Sequence, residues 1–209
     1  MTRWLPAVAE TSFVRRTALG VAGLAFVGGA VAGPASHAFA SPAEQTAPAM
    51  TTVAAVSADS KPAMGKLVPH GTQGAQSHIT LSKDQLANAK AITDTARKLG
   101  MGERGAVIAV ATSMQESKLE NLGHLGDMND HDSLGLFQQR PSSGWGSPEQ
   151  ITDPVYASTA FLKGLKQVDG WQDMPLTDAA QKVQVSAFPD AYAQWEDQAA
   201  HIVQDVWTK

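Results

Sequence analysis

The stretch Ala106–Met114, AVIAVATSM, carries only apolar or small side chains. A helix that is apolar on every side is buried inside a protein, so this stretch predicts a central helix from about Glu103 to Ser117. Glu116 lies at the C-terminal end of that helix. Burial and the negative end of the helix dipole both raise the pKa of a carboxyl group, which favours the protonated form that a general acid needs. The alternative is a helix that ends in solvent at Glu116.

Four more helices are predicted around the central one. Ser82 and Gln85 form a capping-box pattern, and Leu86 begins an apolar series with helical spacing that ends before Gly100. Asp153-Pro154 is typical of a helix start and predicts a helix to about Val168. The other two are predicted at about 178–187, with Thr177 as N-cap, and at about 190–207. The chain is therefore predicted to be mainly α-helical.

About thirty residues between the second and third helices, 119–150, are rich in Gly, Asp, Asn and Ser. A non-helical stretch of that length is unusual in a helical domain and is often functional. It contains the segment Ser133-Leu134-Gly135-Leu136-Phe137-Gln138, in which Gly135 follows Ser117 by eighteen residues.

The Glu116-Ser117 pair at a helix end, followed by an Asp/Gly/Asn loop and then S-x-G-L-x-Q, resembles the lytic transglycosylase and goose-type lysozyme superfamily. The resemblance covers about residues 84–207 and extends loosely to exported actinobacterial and phage-associated variants. It implies a lysozyme-like α+β domain with a short β-hairpin beside the catalytic helix. It also implies cleavage of the β-1,4 bond between MurNAc and GlcNAc in peptidoglycan, with Glu116 as the catalytic acid.

The resemblance and the chemistry of sugars together assign roles to the residues of the two motifs. Gly135 would let the backbone approach the sugar closely, Gln138 would hydrogen-bond its hydroxyl or N-acetyl groups, and Ser133 would do so more weakly. Leu136 and Phe137 would pack beneath the cleft or against the catalytic helix. The predicted substrate-binding residues are Ser117, Asp127, Asp132, Ser133, Gly135, Leu136, Phe137, Gln138, Trp145 and Tyr192.

A second carboxylate would favour a hydrolase, and the loop offers Asp127, Asp130 and Asp132. Asp127 is the one most similar to the acidic residues of goose-type lysozymes. The position after the hairpin, which is sometimes acidic in the family, is Gln139-Arg140 here, and this departure favours the single-glutamate transglycosylase.

A further departure is that the A-Y-N-x-G segment of typical transglycosylases is absent. The corresponding region reads VQVSAFPDAY over residues 183–192, where Gln184, Ser186 or Tyr192 are the possible substitutes. The alternative function is therefore a peptidoglycan-binding module that keeps the fold without turnover.

Tryptophans at 145, 171 and 195 are candidates for stacking on sugar rings. Trp195 lies at a helical spacing that favours core packing. Trp145 lies among small residues in Ser142-Ser143-Gly144-Trp145-Gly146 and is the best candidate for the cleft.

Two metal-site alternatives rest on the same acidic loop. Asp127, Asn129 and His131 meet half of a calcium-loop pattern, whose alternative is a solvated Asn/Asp loop. His124, Asp127 and His131 are the candidate zinc ligands, but no H-E-x-x-H motif supports them. We predict neither a metal nor a cofactor.

The first forty residues predict export. Arg15-Arg16 precedes an apolar run, and Ala38-Phe39-Ala40 is typical of a cleavage site, so residues 1–40 are predicted to be a secretory signal peptide. The alternative is an uncleaved anchor. The arginine pair leaves the Sec and twin-arginine routes both open. Residues 41–78, rich in Ala, Pro, Ser and Thr, predict a flexible linker, and 79–209 the folded domain.

Composition limits the partners. The 209 residues include no cysteine, which excludes disulfides and thiol chemistry. The net charge is −4 and the sequence has no basic block, which argues against nucleic acid as a partner. Removing Arg3, Arg15, Arg16 and Glu10 with the signal leaves thirteen basic and nineteen acidic side chains, a net charge of −6. The prediction is a monomer, secreted or associated with the cell wall, that binds glycan strands and no membrane.

Overall fold

The helix predicted around Ala106–Met114 is present and runs over Gly102–Ser117. A computed structural model of the protein describes residues 61–126 and 131–207. In this part of the chain the α-helices are α1 (Met64–Leu67), α2 (Lys83–Lys98), α3 (Gly102–Ser117), α4 (Pro148–Ile151), α5 (Pro154–Lys166), α6 (Leu176–Gln184) and α7 (Glu196–Val206). Short 3₁₀ turns lie at Pro141–Ser143, Trp171–Asp173 and Ala193–Trp195.

Helix α3 is the centre of the fold, as its apolar pattern predicts. Residues 104–114 are buried, and the helix contacts α1, α2, α5, α6 and α7. Small side chains make this possible because they let neighbouring elements approach. At Gly105 an added Cβ would lie 2.7 Å from the Cβ of Met101 and 3.2 Å from the ring of Trp171.

Helix α2 begins as predicted. The Ser82 hydroxyl accepts a hydrogen bond from the backbone N–H of Gln85, and the Gln85 side chain accepts one from the Ser82 N–H. The helix ends at Lys98, and Gly100 follows with a φ of +67°. Ala89, Ile92 and Ala96 are buried as their spacing predicts, but Leu86 is 42% exposed because the apolar face begins one turn later.

The last two predicted helices differ from the observed ones at their ends. Helix α6 stops at Gln184 because Val185 adopts a left-handed conformation with a φ of +52°. Thr177 lies inside α6 and donates to the carbonyl of Pro189, so its prediction as N-cap is wrong. The final helix begins at Glu196, after the 3₁₀ turn, and not near Asp190.

The predicted β-hairpin is not formed by strands. Over the described residues 131–207, the segment contributes one isolated antiparallel bridge between Leu134 and Gln139. The N–H of each residue donates to the carbonyl of the other, at 2.9 and 3.0 Å. Four residues, 135–138, close the turn between them. The fold is mainly α-helical, and the predicted α+β character is reduced to this bridge, because the chain turns after a single bridged pair.

The predicted linker and the structure differ over residues 61–78. Leu67, in α1, is 0% exposed and belongs to the hydrophobic core. The Gln204 side chain donates to the carbonyl of Pro62, and the N–H of Ser77 donates to the carbonyl of Gln194. The folded domain therefore begins before Ile79. The segment has one leucine, Leu67, and its overall composition gives no sign that this residue is buried in the domain.

A buried ion pair joins α1, α3 and α7. An Nη1 atom of Arg104 lies 2.6 Å from Oε1 of Glu196, and both side chains are almost fully buried. The same guanidinium donates to the carbonyls of Leu67 and Met174. Such a pair needs these extra hydrogen bonds because removing two charges from water is costly.

No helix in residues 61–126 and 131–207 is long and apolar enough to cross a membrane. The predicted signal peptide, residues 1–40, and the first part of the predicted linker lie outside the described residues.

Candidate functional site

Glu116 is partly buried in the last turn of α3. The phenol of Tyr192 donates a hydrogen bond to its Oε1 atom at 2.8 Å. Tyr192 lies 76 residues further along the chain, immediately before the 3₁₀ turn Ala193–Trp195, and is 0% exposed. The folded chain thus brings together the predicted acid and one of the three residues considered as substitutes for the missing A-Y-N-x-G segment.

The Tyr192 phenol stays protonated. Burial and the negative charge of Glu116 raise its pKa well above the ordinary value of 10.0, against a smaller opposite effect of a hydrogen bond with Ser186. A phenol in its neutral form has one proton to donate, and here that proton faces the carboxylate. Tyr192 was predicted as a substrate contact, but its burial and this bond make it a residue that positions Glu116.

Ser186, another of the three substitutes, also forms a side-chain hydrogen bond with Tyr192. Its backbone is fixed by the side chain of Gln181, which accepts from the Ser186 N–H at 3.1 Å and donates to the Ser186 carbonyl at 2.9 Å. The third substitute, Gln184, donates to the carbonyl of Phe137 at 2.9 Å. The end of α6 therefore adjoins both the Glu116–Tyr192 pair and the S-x-G-L-x-Q turn.

The exit from α3 is held by side-chain amides of α2. Lys118 and Leu119 have consecutive positive φ angles, 56° and 65°, which turn the chain sharply after Glu116. Gln85 donates to the Lys118 carbonyl at 2.8 Å, and Asn88 donates to the Leu119 carbonyl at 2.9 Å. These bonds satisfy carbonyl groups that a helix end leaves without partners inside the helix.

A positive charge lies close to the candidate acid. The Nζ atom of Lys118 sits 4.4 Å from the centre of the Trp195 ring and donates to the Met114 carbonyl. Burial lowers the pKa of Lys118, and the attraction of Glu116 opposes that effect. Trp195 is buried, as its helical spacing predicts, and its indole N–H donates to Gln115. An anion on Glu116 would therefore face both a cation and a phenol.

Ser117 connects the candidate acid's helix to the turn. Its hydroxyl donates to the carbonyl of Leu136 at 2.9 Å and also lies 3.2 Å from the carbonyl of Ser113. Ser117 is buried, so the structure gives it a positioning role and corrects its prediction as a substrate contact.

A glycine is needed at position 135 because the backbone there lies close to the backbone of Ile151 in α4. An added Cβ would lie 2.3 Å from the carbonyl oxygen of Ile151, and the residue has a φ of +71°. Its N–H donates to the Leu122 carbonyl at 2.7 Å. The glycine requirement therefore comes from α4 and not from the predicted approach to a sugar.

Leu136 and Phe137 are buried in the hydrophobic core. The Phe137 ring stacks on Phe161 of α5 with 4.9 Å between ring centres. Both side chains are packing residues of the core, so their assignment as substrate-binding residues is corrected.

The polar residues of the turn are used locally. The Gln138 amide donates to the Gly135 carbonyl, and Gln138 has a φ of +46°. Ser133 is buried and accepts from Nε of Arg140. Gln138 is only partly buried, so of these two it is the one still accessible to a ligand.

Asp132 supports the loop. Its carboxylate accepts from the backbone N–H and the hydroxyl of Ser142, both at 2.8 Å. The backbone bond is the main cause of the lowered pKa of Asp132. Asp127 and Asp130 lie outside the described residues, as does Asn129 of the calcium alternative. The zinc alternative also includes Asp127, so its ligand set is not described as a whole.

Trp145 is partly exposed, while Trp171 is buried in the core. The Trp145 carbonyl accepts from the Tyr156 hydroxyl at 3.2 Å, which fixes its backbone. Trp145 stays a candidate for sugar stacking.

The sequence did not predict two features of this site. One is the pair of hydrogen bonds between the Gln181 side chain and the Ser186 backbone, and the other is the exposure of the neighbouring Val185 and Phe188. The available signal was Pro189, which indicates that this segment is not helical.

Searches of known protein families and of curated proteins find no match to this chain.

Proposed function

We propose that the protein cleaves the β-1,4 glycosidic bond between MurNAc and GlcNAc in bacterial peptidoglycan as a lytic transglycosylase, with Glu116 as general acid and base. The observation that carries the proposal is the partly buried carboxyl group of Glu116, which ends a buried helix and is held at 2.8 Å by a protonated phenol. A general acid must be fixed in orientation, which the Tyr192 bond supports, and reachable by substrate, which the partial exposure of Glu116 allows.

The chemistry needs one carboxyl group in two protonation states. Protonated Glu116 gives its proton to the bridging oxygen as the C1–O bond breaks and positive charge develops on the sugar ring. The carboxylate left behind then takes the proton of the C6 hydroxyl, whose oxygen bonds to C1 and closes a 1,6-anhydro ring. Glu116 ends in its initial protonated form, and no water is consumed.

The surroundings of Glu116 fit the charged stage of this cycle. After giving up its proton, the carboxylate accepts from Tyr192 and attracts the ammonium of Lys118. Groups fixed in advance stabilise a developing charge without having to reorganise. The orientation of both groups is set by burial, by Ser186 and by the Trp195 ring.

The alternative, a peptidoglycan-binding module without turnover, is favoured by the buried state of several predicted sugar contacts, among them Ser133, Leu136 and Phe137. A module of this kind would still pellet with cell wall.

The test compares the wild type with Glu116→Gln. We expect the wild type to release muropeptides with 1,6-anhydro ends from purified sacculi, and Glu116→Gln to release none while it still pellets with sacculi. Glu120→Gln is the matched control, because Glu120 is exposed four residues later. Reducing ends would indicate a hydrolase. Binding without release by the wild type would show the non-catalytic module.

A further inference from the structure

Two large apolar side chains are exposed on the segment between α6 and the 3₁₀ turn Ala193–Trp195. Val185 is 79% exposed and Phe188 is 72% exposed, the highest values among the large hydrophobic residues of the described chain. Core packing therefore does not explain why either position is apolar.

The backbone that presents these side chains is well anchored. Gln181 binds the N–H and the carbonyl of Ser186, and Thr177 donates to the carbonyl of Pro189. The Phe188 N–H donates to the Ser186 hydroxyl at 3.2 Å. The exposed side chains consequently extend from a fixed backbone.

The same segment is connected to the candidate acid by hydrogen bonds. The Ser186 hydroxyl accepts from the Phe188 N–H and bonds to Tyr192, whose phenol donates to Glu116. Two residues thus lie between the Phe188 backbone and the proposed proton donor. No exposed apolar residue on α2 or α5 has such a connection among the described hydrogen bonds.

Val185 adds an independent sign of function. A β-branched residue with a φ of +52° is a true outlier, since glycine is the ordinary choice at the end of a helix in this conformation. Backbone strain of this kind concentrates at functional sites. Here the strained position is occupied by an apolar side chain that faces solvent.

We propose that Phe188 is a sugar-stacking residue at the rim of the Glu116 site, with Val185 as a second apolar contact. The ligand is a glycan strand of β-1,4-linked N-acetylated sugars. In such a sugar the equatorial substituents leave a ring face of C–H groups, which pairs with an aromatic ring. Two side chains make too small a patch for a stable protein interface, which needs about 800 Å² on each partner. This inference rests on the proposed function and names the residue that holds its substrate.

The test measures binding in the Glu116→Gln background, so that turnover does not interfere. Chitotetraose is titrated into this protein and into versions that also carry Phe188→Ala, Phe188→Leu or Phe188→Trp. We expect the dissociation constant to rise about tenfold with Ala, to rise comparably with Leu, and to return to within about twofold of the parent with Trp. Leu86→Ala is the control, because Leu86 is exposed on α2. It should leave binding unchanged.

Equal affinity of the Phe188→Ala protein and its parent overturns the proposal, as does a parent that binds no chitotetraose. Full retention of binding by Phe188→Leu also overturns it, because a stacking contact needs the ring. Thermal unfolding of each variant should match the parent, since the side chain is exposed. If Phe188→Ala weakens binding while the wild type releases no muropeptides, the sugar-stacking role of Phe188 stands and the proposed catalytic function fails. If the wild type releases muropeptides and Phe188→Ala binds as well as its parent, only the sugar-stacking role is rejected.

Discussion

At the scale of single residues, the hydroxyl of Tyr192 is the group on which the proposed site depends most. It is buried and makes the described hydrogen bond to the Glu116 carboxylate. Tyr192→Phe removes this bond and keeps the ring. We expect kcat for muropeptide release to fall by about 10- to 100-fold, which is the weight of a hydrogen bond to a charged group, with KM unchanged.

Tyr156→Phe is the matched control for this substitution. Tyr156 is the other tyrosine of the chain, and its hydroxyl donates to the carbonyl of Trp145 and not to Glu116. Because Trp145 is a candidate for sugar binding, any effect of Tyr156→Phe should appear in KM, and kcat should be unchanged. If Tyr192→Phe retains the full rate, Tyr192 has no positioning role and the site needs a different description.

The raised pKa of Tyr192 also predicts a pH dependence of stability. The folded protein holds the phenolic proton more tightly than the unfolded chain does, so this contribution is fully present below pH 10.0 and declines as the pH rises above it. The free energy of unfolding of the wild type should fall more steeply above pH 10 than that of Tyr192→Phe, as measured by urea unfolding at a series of pH values. Parallel pH curves would contradict this expectation.

The single residues also show how far sequence reasoning reaches. The sequence singles out Glu116 as a candidate acid because it is an acidic residue at the end of an apolar helix, and Gly135 because it belongs to a motif. The contact that requires Gly135, the Ile151 carbonyl, comes from another element. A partner that depends on tertiary packing leaves no local pattern in the sequence.

At the scale of elements, Ser117 joins α3 to the Leu134–Gln139 turn. Ser117→Ala leaves the Leu136 carbonyl without this donor inside the protein, which should lower the free energy of unfolding by about 1–3 kcal/mol. Chemical denaturation measures the loss. Ser143→Ala, at an exposed position of the 3₁₀ turn Pro141–Ser143, should change stability by less than about 0.5 kcal/mol. Equal effects of the two substitutions would mean that the Ser117 bond does not hold the turn.

The helices themselves were predictable where the signal is local. The α2 capping box and the Asp153 cap of α5 are present as their patterns indicate. The C-terminal end of α6 was not predictable, because the helix stops before Val185, which adopts a left-handed conformation. The start of α7 was not predictable either, because Tyr192 lies before the helix and bonds to Glu116. The hairpin was predicted from a family motif and is reduced to one bridge, which the motif does not specify.

At the scale of the whole molecule, residues 61–78 belong to the folded domain. Leu67 fills the core, and its carbonyl accepts from Arg104. A chain that begins at residue 79 should therefore be about 3 kcal/mol less stable than one that begins at residue 61, from lost burial and one lost hydrogen bond to a charged group. Differential scanning calorimetry of these two shortened proteins checks this, and equal stability of both would restore the boundary at Ile79.

The contact between the first and last described segments has a consequence for engineering. Lys61 lies 2.6 Å from Asp205, and Pro62 accepts a hydrogen bond from Gln204. Domains whose ends lie together tolerate circular permutation and insertion into a host loop. Residues 61–207 can therefore be inserted into a loop of another protein, because the two points at which the chains would be joined lie close together.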